Sequence, residues 1–218
     1  MSDARERILA KVRKGIGRDM PIMASEARKA LDGGVGSELP PRPLWTEDPV
    51  DRFLDRFAAA AGTFSRVSST SGAAEAISAY LRERKLEPVL RVAGHPLLEK
   101  IDWPGDLRIE LDSPVADAVV SVSVAEAGLA ETGTLVMYSG PQSPTEMNFL
   151  PEYHIVLLKR QDIVGYMEDV WNRMRPWEGF PPRVLNFITG PSRTADVEQT
   201  LQLGAHGPRS LHLVLLEG

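Results

Sequence analysis

The sequence predicts an α/β fold: a mostly parallel sheet sandwiched by helices, with an N-terminal helical arm. Three observations carry this. From Pro49 onward, segments of strand and helix character alternate, as in chains built from βα units. The apolar runs Leu135–Met137 (LVM), Ile155–Leu158 (IVLL) and Leu213–Leu216 (LVLL) suit strands buried on both faces, the habit of parallel sheets. At 218 residues, 43% hydrophobic and 25% charged, the chain is long enough for one such domain with a sizeable core and an appendage.

Taken in order, Ser2 to about Gly15 is helical by pattern. Ile8, Leu9 and Val12 share a face, and Asp3 with Glu6 has capping-box spacing. Gly17 to Pro49 is rich in Gly and Pro and reads as an irregular arm. Draping over its own domain or over a neighbouring subunit of a homo-oligomer are both open to it. The expected organisation is 1–48 for helix and arm and 49–218 for the α/β domain. Pro49 to Gly62 is a helix with Val50, Phe53, Leu54 and Phe57 on one face, Pro49 at a favoured first position and Gly62 as the stop. Then follow strand Thr63–Val67, helix Ser71–Lys85, strand Pro88–Val92, a short helix in His95–Ile101 and strand Leu107–Leu111. Strands Ala118–Val124, Thr134–Ser139 and Tyr153–Lys159 come next, joined between Ala118 and Tyr153 by short turns, so part of the sheet is expected to be mixed. Helix Asp162–Met174, strand Val184–Ile188, helix Thr194–Leu203 and strand Leu211–Leu216 complete the chain.

Composition narrows the function. A net charge of −5 gives no basic footprint for nucleic acid. With no cysteine, the chain forms no disulfide, holds no thiolate metal site and cannot itself ligate a conventional iron–sulfur cluster. The charged N-terminus lacks an apolar signal-peptide core. The longest mostly apolar stretch, Ala118–Ala130, is broken by Glu126 and too short to span a bilayer. A cytoplasmic protein is expected.

The most chemistry-rich stretch is GPSRTADVEQTLQLGAHGP, Gly190 to Pro208. A helix starting near Thr194 leaves backbone N–H groups that Ser192 or Thr194 can cap, while Asp196 and Glu198 complement its dipole. The other reading is a binding wall, in which Arg193 holds a carboxylate or phosphate through its two-pronged guanidinium. His206, in a turn with Gly204, Gly207 and Pro208, is either a proton carrier or a histidine bonded to its own loop. In Glu131–Thr134 (ETGT), Glu131 is a candidate base or nucleophile and Gly133 permits close approach of a ligand; the alternative is a hairpin bend with a solvated Glu. Ser68–Gly72 (SSTSG) offers hydroxyls at a helix start, with Ser71 as a plain N-cap the stronger reading. Tyr138–Pro144 is a further Gly/Pro loop after a strand, and His154 reads as a half-buried strand residue. No metal ligands are assigned, because the acidic and histidine residues lack ligand spacing.

Gly128–Met137, Leu150–Leu158 and Phe187–Leu216 together resemble the LUD-domain family of lactate-utilisation C (LutC/YkgG) proteins, in order across about Thr63 to Leu216. Gln202 departs from the aliphatic residue expected there. The resemblance implies a fold like that of ribose-phosphate isomerases, glucosamine-phosphate deaminases, CoA transferases and folate cyclo-ligases. It also implies a role in oxidation of L-lactate to pyruvate beside iron–sulfur partner proteins; the cysteine-free composition puts any cluster on those partners. A small anionic ligand is expected in a cleft at strand C-terminal ends. Ser192, Arg193, Thr194, Asp196, Thr132, Gly133 and Thr134 are its candidate binding residues, and Glu131 and His206 the candidate proton-transfer groups. Glu131-Thr132-Gly133 is similar to the Glu-x-Gly setting of CoA transferases. Whether chemistry occurs in this chain stays open. The alternatives are a non-catalytic assembly subunit and an independent enzyme acting on CoA or sugar phosphates.

Overall fold

The computed structural model describes residues 2–15, 42–140, 143–177, 182–195, 201–203 and 207–218. The chain divides into two compact units, Met1–Trp45 and Thr46–Gly218. In the first, helix α1 (Ser2–Gly15) leaves Ile8 and Val12 largely exposed. Most of the Gly/Pro-rich arm, 16–41, lies outside the described residues.

The second unit begins with α2 (Pro49–Ala59), whose start is fixed by the Asp48 carboxylate accepting from the Val50 N–H at 2.8 Å. Its apolar stripe buries Val50, Phe53, Leu54 and Phe57, the four residues patterned for it. The helix ends on Ala61 in the left-handed region (φ 65°), one residue ahead of the expected stop at Gly62. After it come β1 (Thr63–Val67), α3 (Thr70–Arg84), β2 (Val89–Val92), α4 (Pro96–Glu99), β3 (Arg108–Glu110), β4 (Val120–Val124), β5 (Ala127–Leu129), β6 (Thr134–Tyr138), β7 (Tyr153–Lys159), β8 (Ile163–Val164), α5 (Met167–Met174), β9 (Leu185–Ile188), β10 (Arg193–Ala195), β11 (Leu201–Leu203) and β12 (Ser210–Leu216).

Six strands form one sheet in the order β1-β12-β7-β4-β2-β3, every neighbouring pair parallel. Alternate residues therefore face opposite layers. Val120, Val122, Ile155, Leu157 and Val214 pack under α3 and α4 with Ile77, Leu81 and Leu98. On the other face Val156, Leu158, Leu211, Leu213 and Leu215 meet Phe53 and Phe57 of α2 together with Leu135 and Met137. Each fully buried side chain of this size contributes roughly 1.5–3 kcal/mol.

The α/β class with a mostly parallel sheet is as expected, but the non-parallel part forms a separate layer. Strands β8-β5-β6-β9 make a second sheet of four, with β5–β6 and β6–β9 antiparallel. Its inner face packs on the large sheet beside α2, and its outer face is covered by Val170 and Met174 of α5. Two helix expectations need correction. Only Met167–Met174 of Asp162–Met174 is α-helical, because Ile163–Val164 pairs with β5 as β8. The expected helix Thr194–Leu203 is a strand at each described end: β10 and β11 pair antiparallel, Arg193 opposite Leu203 and Ala195 opposite Leu201. The stretch alternates polar and apolar residues (TADVE, then LQL), and that period of two outweighs the capping residues that suggested a helix.

Candidate functional site

Large parallel sheets favour ligands at the C-terminal ends of their strands. At that end of β7 and β12 a cleft of about 460 Å³ is lined by Lys159, Arg160, Asp48 and Glu217. Its one glutamate is already paired: Glu217 is held by Arg66 and, at 3.0 Å, by Arg160. Both arginines keep the Glu217 carboxyl below its usual range. Here also lies SSTSG, where the capping hydroxyl is that of Ser69, accepting from the Gly72 N–H at 3.3 Å, and not that of Ser71.

A smaller cavity of about 220 Å³ lies at the opposite end, where β7 and β12 begin and β9 ends. Its walls include Asn148, His154, Thr189, Ser192, Gly207 and Pro208. Of the candidate stretches expected to line one cleft at strand C-terminal ends, GPSR does follow the end of β9. The large sheet meets this cavity with the N-terminal ends of its strands.

The turn after β9 is fixed by backbone contact. Gly190 has φ +86°, and a Cβ there would lie 2.2 Å from the carbonyl oxygen of Ala60, just past α2. Gly133 has φ +69°, and its Cβ would lie 2.4 Å from the backbone nitrogen of Phe57. The close approach that Gly133 permits is thus to α2 itself, whereas a ligand contact was expected there. The two turns are joined by hydroxyls: Thr132 Oγ1 to Thr134 Oγ1, and Thr134 Oγ1 to Thr189 Oγ1, each 2.6 Å. ETGT and GPSR, far apart in sequence, meet because β6 and β9 are paired, Leu135 opposite Ile188. The Ser192 N–H donates to the Pro208 carbonyl at 2.8 Å, which ties GPSR to the turn before β12.

Among the expected site residues, Ser192 lines the cavity, and Arg193 is exposed where β10 begins. Thr194 lies in β10 and Thr134 is buried beside Thr189. Glu131 is half-buried in the β5–β6 turn, its N–H bonded to the Gly165 carbonyl at 3.0 Å, and does not line the cavity. Asp196, Glu198 and His206 lie outside the described residues, as do Pro141 and Gln142 of the Tyr138–Pro144 loop.

Two cavity groups were missed or undervalued. His154, expected to be half-buried, is fully buried. Its Nε2 lies 2.6 Å from Ser123 Oγ, while its Nδ1 has no hydrogen-bond partner. Burial alone pushes its pKa down to about 3, so the ring is neutral at physiological pH. Asn148, 1% exposed, leaves both Nδ2 and Oδ1 unpartnered. It is held in place by the Ser121 hydroxyl, which donates to the Met147 carbonyl at 2.8 Å. Among the described residues, neither the 460 Å³ cleft nor a wider one of about 530 Å³ beside Tyr138 and Arg183 is lined by a buried side-chain polar atom lacking a partner. Because buried polar groups are nearly always bonded, the smaller cavity is the better candidate site despite its size. The signal was present in the sequence: VSVSV in a central strand places valines on one face and the hydroxyls of Ser121 and Ser123 on the other. His212, by contrast, has both ring nitrogens bonded, to Thr63 (2.8 Å) and Ser65 (3.2 Å), and stacks on Tyr80. His95 caps α4 by accepting from the Leu97 N–H.

Comparison with known proteins bears on the whole chain. The LUD-domain family model matches residues 3–216. The uncharacterized protein YkgG of Escherichia coli is 26% identical over 98% of both chains. Lactate utilization protein C of Exiguobacterium is 30% identical, covering 54% of this chain and 53% of its own length. The Bacillus subtilis protein of the same name is 31% identical over 53% of this chain and 49% of its own. The chain thus spans about half the length of the lactate utilization proteins C it matches here. Among solved structures, a DUF162 family protein from Deinococcus radiodurans superposes with a TM-score of 0.60 at 18% identity, over 80% of this chain and 99% of that one. That likeness establishes the fold.

Proposed function

The chain belongs to the LUD-domain family, and from that premise we propose that it acts in L-lactate utilisation and holds a small anionic organic ligand in the 220 Å³ cavity beside Ser192. The observation that carries the ligand reading is the pair of buried polar side chains with unpartnered atoms, both amide atoms of Asn148 and Nδ1 of His154, on residues that line this cavity together with the GPSR turn. A cavity of this size suits a ligand of a few heavy atoms, smaller than the 300–1,000 Å³ typical of drug-sized sites. The names of the curated relatives point the reading to lactate or its oxidation product.

In this proposal Ser192 and Thr194, with the backbone of the Thr132–Thr134 turn behind them, shape the mouth, and the Arg193 guanidinium draws in the carboxylate. Asp196 is a further residue proposed for binding. His206 is the group proposed for proton transfer in this cavity; Glu131, which does not line it, is not given that role here. Redox partners carrying iron–sulfur clusters would accept the electrons, since this chain has no cysteine to hold one.

The test is thermal melting of the purified chain with L-lactate, pyruvate, CoA or a sugar phosphate. A monocarboxylate at about 100 times its Kd adds roughly 2.7 kcal/mol, or about 5–10 °C for a domain of this size. That shift should fall in Arg193→Ala. A shift produced by CoA or a sugar phosphate and by no monocarboxylate would replace the reading with an independent transferase or isomerase.

A further inference from the structure

We infer that the end of the cavity formed by His154 and Asn148 is a subsite for the carboxylate and adjacent hydroxyl of a small 2-hydroxy acid. This rests on the ligand site proposed above and adds to it the residues and the hydrogen-bond pattern that select the ligand.

His154 begins the inward-facing row of β7, in register with Ser121 of β4 on one side and Leu211 of β12 on the other. Its Nε2 is engaged by Ser123 Oγ at 2.6 Å, the one hydrogen bond of that buried hydroxyl among the described residues. In the inferred subsite the Ser123 hydroxyl donates to Nε2, the direction that leaves the ring proton free for a ligand. The ring proton then sits on Nδ1, which is the unpartnered atom. Burial lowers the pKa of His154 and keeps this single proton in place through neutral pH.

Asn148 adds the rest. Its side-chain amide offers two N–H donors and one carbonyl acceptor, with both heavy atoms unpartnered and the residue 1% exposed. The two residues line the same cavity. The inferred subsite takes Nδ1–H and Nδ2–H as its donors and Oδ1 as its acceptor. A carboxylate accepts from the two donors, and a hydroxyl on the next carbon donates to Oδ1. A 2-oxo acid has no proton for Oδ1 and leaves it unpartnered, the kind of mismatch by which hydrogen-bonding sites reject close analogues. No side chain lining the cavity among the described residues carries a full charge at neutral pH, so the subsite recognises its ligand by direction more than by charge.

Two measurements on the full chain decide this. Long-range 1H–15N correlation NMR reports which ring nitrogen of His154 bears the proton. The expected result is the Nδ1–H form from pH 5 to 8, with the Nδ1 signal moved by sodium L-lactate at concentrations at least ten-fold below those needed of sodium pyruvate. An Nε2–H form overturns the subsite, and so does equal affinity for the two acids. The second measurement is melting of Asn148→Leu, similar in size but apolar. Removing a buried unpartnered amide should leave the free protein at least as stable as wild type and abolish its response to L-lactate; a retained response overturns the subsite. If L-lactate raises the melting temperature of the wild type without moving His154, the ligand site proposed above stands and this subsite falls. If no carboxylate has either effect, both fall.

Discussion

At the scale of the residue, two buried histidines tie stability to pH. Burial lowers the pKa of His154 to about 3 and that of His212 to about 4, against 6.5 when unfolded. The Arg84 charge adds to the effect at His212. Between these values the unfolded chain binds more protons than the folded one, so stability is full above pH 6.5 and is lost as the pH falls towards 3–4. At pH 5 each histidine should have cost roughly 2 kcal/mol. Urea melts at pH 7 and pH 5 should show that loss, and His212→Asn should reduce its pH dependence by about half. A carboxylate bound beside His154 favours the imidazolium, so lactate should blunt the acid loss at His154 and leave that at His212 untouched. An acid response of His212→Asn equal to wild type would show that His212 is not held neutral in the fold.

At the scale of the element, the cavity depends on two turns seated against the end of α2. Gly190→Ala forces a Cβ onto the Ala60 carbonyl at a positive φ. The cost should be at least about 2 kcal/mol, or a melting temperature lower by roughly 4–8 °C. Gly105→Ala, with nothing within 4 Å of the added carbon, should change little. Equal effects at the two positions would mean that the GPSR turn is not seated as described. How much was legible in the sequence also divides by element. Long apolar strands such as β7 and β12, and helices with one clear stripe such as α2, were readable because periodicity and burial agree there. The β10–β11 hairpin was misread because capping residues at Ser192 and Thr194 also suit a turn. The pairing of β8 with β5 could not be read from Ile163–Val164, since two residues show no period.

At the scale of the whole molecule, the family and the α/β class were legible, while the location of the cavity was not. GPSR follows the C-terminal end of β9, as expected, but the large sheet offers the cavity the N-terminal ends of its strands. That follows from the second sheet, which runs β9 back over the start of β7 and β12 and so brings Thr189–Ser192 against His154. Asn148 could not be found from its neighbours, because a Met-Asn-Phe segment in a Pro-flanked loop carries no motif. Only the fold shows that it is buried without a partner. Among the described residues, no helix is long and apolar enough to cross a membrane. The central claim is that this cavity holds a small carboxylate, and a crystal structure of the chain soaked in L-lactate tests it most directly. The expected result is lactate in the cavity, its carboxylate within hydrogen-bond distance of His154 Nδ1 and Asn148 Nδ2. Lactate bound instead at the Lys159–Arg160–Glu217 cleft, with the cavity holding only water, would contradict it.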